Sequence, residues 1–160
     1  MNSSHPHPPW RRHAAFTLVE IMIVVVIIGL LAAFAIPAFK RVQQAAQANR
    51  AVNDFRVFSQ AFETFATQNG TWPPNASAGV VPVGMSGDFK ASVWQSATSI
   101  GGRWNWDRNL GGVIAGVSIQ NFTATDVQLA AIDAKLDDGD LSTGSFQKVN
   151  STRVTYILEQ

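Results

Sequence analysis

The chain has 160 residues, 46% of them apolar, enough for one globular body and too few for two comfortable ones. Its net charge is only +1, and Arg11 and Arg12 account for that excess, so no basic surface points to nucleic acid. With no cysteine, disulfides, thiolate metal sites and a thiol nucleophile are excluded.

Residues 1–15 hold three prolines, three histidines and the paired arginines, a composition that disfavours helix and reads as a leader or cytoplasmic tail. Residues 16–39 (FTLVEIMIVVVIIGLLAAFAIPAF) are long enough as a helix to cross about 30 Å of hydrocarbon. The flanking arginines put its N-terminal end in the cytoplasm. Pro37 removes a backbone donor and predicts a kink there. Within the span the sole charge is Glu20. An ionised side chain in hydrocarbon costs roughly 2.5–3.5 kcal/mol even on lenient scales, so Glu20 calls for a partner.

Over 40–70 the pattern turns amphipathic, with Ala45, Ala48, Val52, Phe55, Ser59, Phe62 and Ala66 recurring at three- and four-residue steps. The helix is expected to continue along this stripe and stop at Asn69-Gly70, ahead of Pro73 and Pro74. Residues 71–109 are rich in Gly, Pro, Ser and Thr and predict loops, with a helical turn around 83–94. Strands follow at 103–107 and 112–120, joined by a turn at 108–111. Thr125 caps a helix whose apolar residues are Val127, Leu129, Ala130, Ile132 and Leu136, ending at 137–139. A second strand pair is expected at 146–149 and 153–158, in which Val154, Tyr156 and Leu158 alternate with Arg153, Thr155 and Ile157. The fold class is α+β: a long N-terminal helix packed on a small antiparallel sheet with one further helix, the head occupying 71–160.

Trp104 and Trp106 alternate with Asn105 and Asp107, and the tryptophans read as packing against Phe55 or Phe62 rather than as a carbohydrate platform. Phe55, Phe58, Phe62 and Phe65 are expected to be shared between the head core and neighbouring subunits. Every histidine lies before residue 16, and no nucleophile–base pair or phosphate loop is present, so nothing supports an enzyme.

The segment RRHAAFTLVEIMIVVVIIGLLAAFAIPAF resembles the class III leader and N-terminal helix of type IV pilins and type II secretion pseudopilins. The resemblance implies cleavage between Ala15 and Phe16 by a prepilin peptidase and methylation of the new Phe16 amine. Ala15 departs from the glycine usual before the cut. Cleavage would create a cation four positions ahead of Glu20, on the same helix face. The resemblance favours pairing of Glu20 with the Phe16 amine of a neighbouring subunit, which also sets axial register.

Without cysteine the chain looks more like a pseudopilin than a type IV pilin, and its acidic segment near the C-terminus and its length resemble the major pseudopilin group of type II secretion systems. That likeness implies a homo-oligomeric filament growing from the inner membrane, with the head periplasmic. Its partners would be membrane lipid, the prepilin peptidase, an inner-membrane assembly platform and minor pseudopilins. Asp138, Asp140 and Ser142 form D-x-D-x-S, which could wrap calcium as some pseudopilin C-terminal loops do. Two alternatives stand beside this reading. One is a type IV pilus subunit for adhesion, motility or DNA uptake; the other is a periplasmic binding domain released by a signal peptidase after Ala35.

Overall fold

The computed structural model describes residues 17–110 and 112–160. They fall into two compact units, one up to Lys40 and the other from Arg41 to Gln160. One helix, α1 (Leu18–Asn69), contributes residues to both.

In the first unit, the described side chains are exposed except half-buried Ala32. The helix here is long and apolar enough to cross a membrane, and its most apolar window has no buried residue. Leu, Ile and Val on every side leave no polar face to meet water, the pattern of a helix whose solvent is lipid. Pro37 sits inside α1 without ending it.

In the second unit α1 buries one stripe: Ala48, Ala51, Val52, Phe55, Phe58, Ser59 and Phe62. The helix ends at Asn69, where Gly70 takes φ +68°, a left-handed conformation that glycine adopts without a Cβ clash. The stripe packs on a four-stranded antiparallel sheet of order β1-β2-β4-β3. Its strands are β1 (Arg103–Leu110), β2 (Val113–Gln120), β3 (Phe146–Asn150) and β4 (Arg153–Glu159). Two shorter helices complete the unit, α2 (Ala91–Gln95) and α3 (Asp126–Leu136).

Aromatic rings fill the space between helix and sheet. Phe55 meets Trp104 edge-on at 4.8 Å and Phe146 at 5.3 Å. Phe58 sits edge-on to Trp94 and to Trp104, both at 4.9 Å, and Phe62 stacks on Trp106 at 3.9 Å. Such pairs add about 0.5–1.5 kcal/mol each beyond the burial of their area. The tryptophans are therefore core residues, as their alternation implies. Trp94 Nε1 donates to the Val80 carbonyl and Trp106 Nε1 to that of Pro73, so neither buried indole leaves its donor empty.

Four expectations need correction. The helical turn near 83–94 shrinks to Ala91–Gln95, because Gly84 and Gly87 interrupt it, both at positive φ. Strand β1 runs to Leu110 instead of 107, through the residues assigned to the turn. Phe55, Phe58 and Phe62 are at most 2% exposed, which leaves them no surface to share with a neighbour. Val127, placed on the apolar face of the third helix, is 81% exposed. Helix α3 otherwise starts as its sequence dictates: the Thr125 hydroxyl accepts from Gln128 N while the Gln128 side chain accepts from Thr125 N, a reciprocal cap.

Candidate functional site

Two clusters carry chemistry. The first is the start of α1, where Glu20 Oε2 accepts from the Thr17 amide at 2.8 Å and from its hydroxyl at 3.0 Å. In return Glu20 N donates to Thr17 Oγ1 at 3.2 Å. This is a capping box: it satisfies donors that a helix N-terminus leaves open, and it places a carboxylate against the positive end of the helix dipole. The sequence reading assigned Glu20 to an amine and overlooked Thr17, although T-x-x-E is a legible cap signature. Ala15 and Phe16, the expected cleavage pair and methylated residue, lie outside the described residues.

The second cluster lies where α3 ends. Asp133 follows Leu129 and Ile132 on the buried face of the helix and is fully buried, and among the described residues no donor meets hydrogen-bond geometry at either carboxylate oxygen. Burial pushes its carboxyl above the usual range; the Gly139 amide pulls the other way, and Asp138, Asp137 and Asp140 add repulsion. Carboxylate oxygens of Asp133, Asp137 and Asp138 come within 4.8 Å of one another. Three like charges at that spacing repel unless a cation joins them. The turn that gathers them needs Gly144 at φ +70°, where a Cβ would run into the Asp137 carboxylate.

The residues singled out from sequence divide here. Asp138 joins the cluster, with Oδ1 accepting from Asp140 N at 2.9 Å and Oδ2 from the Thr143 hydroxyl at 2.8 Å. Asp140 and Ser142 bond each other instead: Asp140 Oδ1 accepts from Ser142 N at 3.0 Å and Oγ at 2.6 Å. Those two bonds hold the Asp140 carboxyl below its usual range. Asp133 and Asp137 were not singled out from the sequence. The available signal was a carboxylate at the i+4 position from Leu129, on an apolar stripe. An all-oxygen set with an orphaned buried carboxylate suits a hard cation such as calcium. The residues present fit that ion.

An uncovered apolar helix leading into a helix-on-sheet head defines a pilin-like fold. The structure is similar to the major type IV pilin PilA1 of Clostridium difficile, with TM-score 0.54 and 13% identity, over 75% of this chain and 98% of that one. A prokaryotic N-terminal methylation motif matches residues 10–36. Among curated proteins, the type IV major pilin PilE1 of Neisseria gonorrhoeae is 37% identical over 87 residues, 54% of this chain and 40% of that protein. The type II secretion system core protein G of Vibrio cholerae is 35% identical over 63 residues, 39% of this chain and 43% of that protein. This chain spans about half the length of the curated relatives it matches. Motif, relatives and fold together support membership of the type IV pilin and pseudopilin superfamily.

Proposed function

We propose that this protein is a structural subunit, not an enzyme, of a pilus-like filament, and that the filament belongs to a type II secretion system. On this reading a prepilin peptidase cuts between Ala15 and Phe16 and the Phe16 amine is methylated. The apolar helix holds the subunit in the inner membrane with its head in the periplasm until an assembly platform extracts it. Minor pseudopilins and membrane lipid are its further partners. The observation that carries the proposal is the apolar half of α1, with no buried residue in its apolar window and a single carboxylate at its start. Identical helices would supply the cover that the subunit lacks. Leaving lipid for a helix bundle gains little hydrophobic energy, so packing and the Glu20 pair would set the geometry.

The capping box adds one step to this account. A lone subunit satisfies Glu20 through Thr17, so pairing with a neighbour's amine need not be in place before assembly begins. Glu20→Ala is expected to insert in the membrane as the unchanged protein does while filaments fail. Chemical cross-linking of neighbouring subunits in the cell envelope beside membrane fractionation reads both, and a ladder of cross-linked subunits equal to that of the unchanged protein would overturn the pairing. A type IV pilus subunit is the second reading, favoured by the longer match to the gonococcal pilin, 87 residues against 63. Long surface fibres would select it over a short periplasmic pseudopilus.

We further propose that calcium is held by Asp133, Asp137 and Asp138, with Asp140 and Ser142 bracing the turn beside them. The ion would neutralise the buried Asp133 and tie the end of α3 to the loop ahead of β3. Titration of the full chain with calcium after chelation tests this, and an unchanged melting temperature would remove the ion.

A further inference from the structure

A polar site occupies the sheet face opposite α1. Because Trp104 and Trp106 point at the helix, the alternation of β1 turns Asn105 and Asp107 the other way. The register sets Asn105 beside Ser118 and Gln120 beside Arg153. From β4, Arg153 Nη1 crosses the central strand to Asp107 Oδ1 at 2.9 Å, and Asn105 Nδ2 donates to the same oxygen at 2.6 Å. The Asp107 side chain is only 3% exposed.

Both bonds end on Oδ1. Among the described residues no donor reaches Asp107 Oδ2 or Asn105 Oδ1, yet neither oxygen is sealed from solvent. The two residues line a depression of about 410 Å³, together with Asn75, Ser77, Gln120 and Arg153. Leu110 supplies an apolar wall. The space is a surface depression open to solvent on one side rather than an enclosed pocket. A clasp serving stability alone would close both carboxylate oxygens on Arg153, because a fork-to-fork pair is the stronger arrangement. Asp107 Oδ2 is instead open to a donor from water or from a ligand.

The chemistry of the occupant follows from charge and donor count. Among the described residues lining the depression, Asp107 and Arg153 alone are charged and neutralise each other, so an ion of either sign finds no net attraction. The remaining lining offers acceptors (Asp107 Oδ2, Asn105 Oδ1), carboxamides that both donate and accept (Asn75, Gln120) and one hydroxyl (Ser77). Groups that donate and accept in close alternation match this lining. We propose that the depression binds a neutral polyhydroxylated ligand, a sugar ring whose vicinal hydroxyls bridge Asp107 and the carboxamides while a C–H face rests on Leu110. Free sugar and the terminal residue of a surface glycan share that chemistry.

The test is saturation-transfer-difference NMR on the full chain in a phosphocholine detergent, since maltoside detergents would compete. Methyl glycosides of glucose, galactose, mannose and N-acetylglucosamine are offered beside an oligosaccharide ending in each. Glycerol is the control. Saturation of at least one glycoside, reduced tenfold or more in apparent affinity by Asn75→Leu and by Gln120→Leu with unchanged melting temperatures, is the expected result. Equal affinity for glycoside and oligosaccharide assigns a free sugar, and tighter binding of the oligosaccharide assigns a surface glycan; either supports the site. No saturation of any sugar, a glycerol signal equal to the sugars', or binding untouched by both rim variants overturns it.

Discussion

The two halves of α1 put their apolar residues to opposite ends. Residues 18–39 are apolar on every side and no described residue of their own unit covers them, whereas residues 48–62 gather most of their apolar side chains on one buried stripe and leave Val57 outside it. Composition and periodicity both separate them, because Asn49, Arg50, Asn53, Asp54, Arg56 and Gln60 take the other face of the second segment. An unbroken apolar surface specifies a solvent, lipid or a bundle of like helices; a stripe specifies a particular partner, here the aromatic face of the sheet.

The sharpest way to break this contrast is to truncate one residue in each half. Phe62→Ala removes a ring stacked on Trp106 and is expected to cost about 3–5 kcal/mol, lowering the head's melting temperature by roughly 12 °C or more. Ile27→Ala, 51% exposed in the unaccompanied half, should leave that temperature unchanged. Thermal melts by near-ultraviolet circular dichroism, which follows the tryptophans, compare the two.

Calcium provides the next effect. A hundredfold excess over its dissociation constant would stabilise the head by about 2.7 kcal/mol. Asp133→Asn should abolish that gain and, without metal, melt no lower than the unchanged protein, because it removes a buried charge that has no partner. Calorimetric scans with calcium and with chelator distinguish the two cases.

The caps sharpen the contrast further. Thr125→Ala should cost the head about 1 kcal/mol by opening the reciprocal cap on α3. Thr17→Ala breaks an equivalent cap at the start of α1 and should leave the head's melting temperature where it was. Smallest of all is Asp54→Asn. Burial, partly offset by Asn53 and Arg50, raises the folded carboxyl above its unfolded value, so ionisation above pH about 4 favours the unfolded chain. The variant should melt slightly higher at pH 7, and the difference should vanish near pH 3, where both states hold the proton.

Elements with a strong period or a cap could be read from the residues alone. The stripe through Val52, Phe55 and Phe62, the stop at Asn69-Gly70, the Thr125 cap and both strand pairs stand close to where the pattern puts them. What escaped was set by contacts between segments distant in sequence. Thr155 and Ile157 alternate with Val154 as if to face water, yet Thr155 is 1% exposed and Ile157 9%. Asp133 looks like one more acidic residue near a helix end until the fold shows it sealed beside Leu129 and Ile132. Strand β1 outran its expected end because pairing with β2 continues to Leu110, opposite Val113, past residues of low strand propensity. Glu20 stood out at once as a charge in an apolar run, but its use of Thr17 required looking for a cap where a membrane span begins.

The account rests on the front of α1 being remade before assembly, and the mass and N-terminal sequence of protein recovered from assembled fibres test this directly. A chain beginning at methylated Phe16 is predicted. Fibres built of subunits that still begin at Met1 would contradict it.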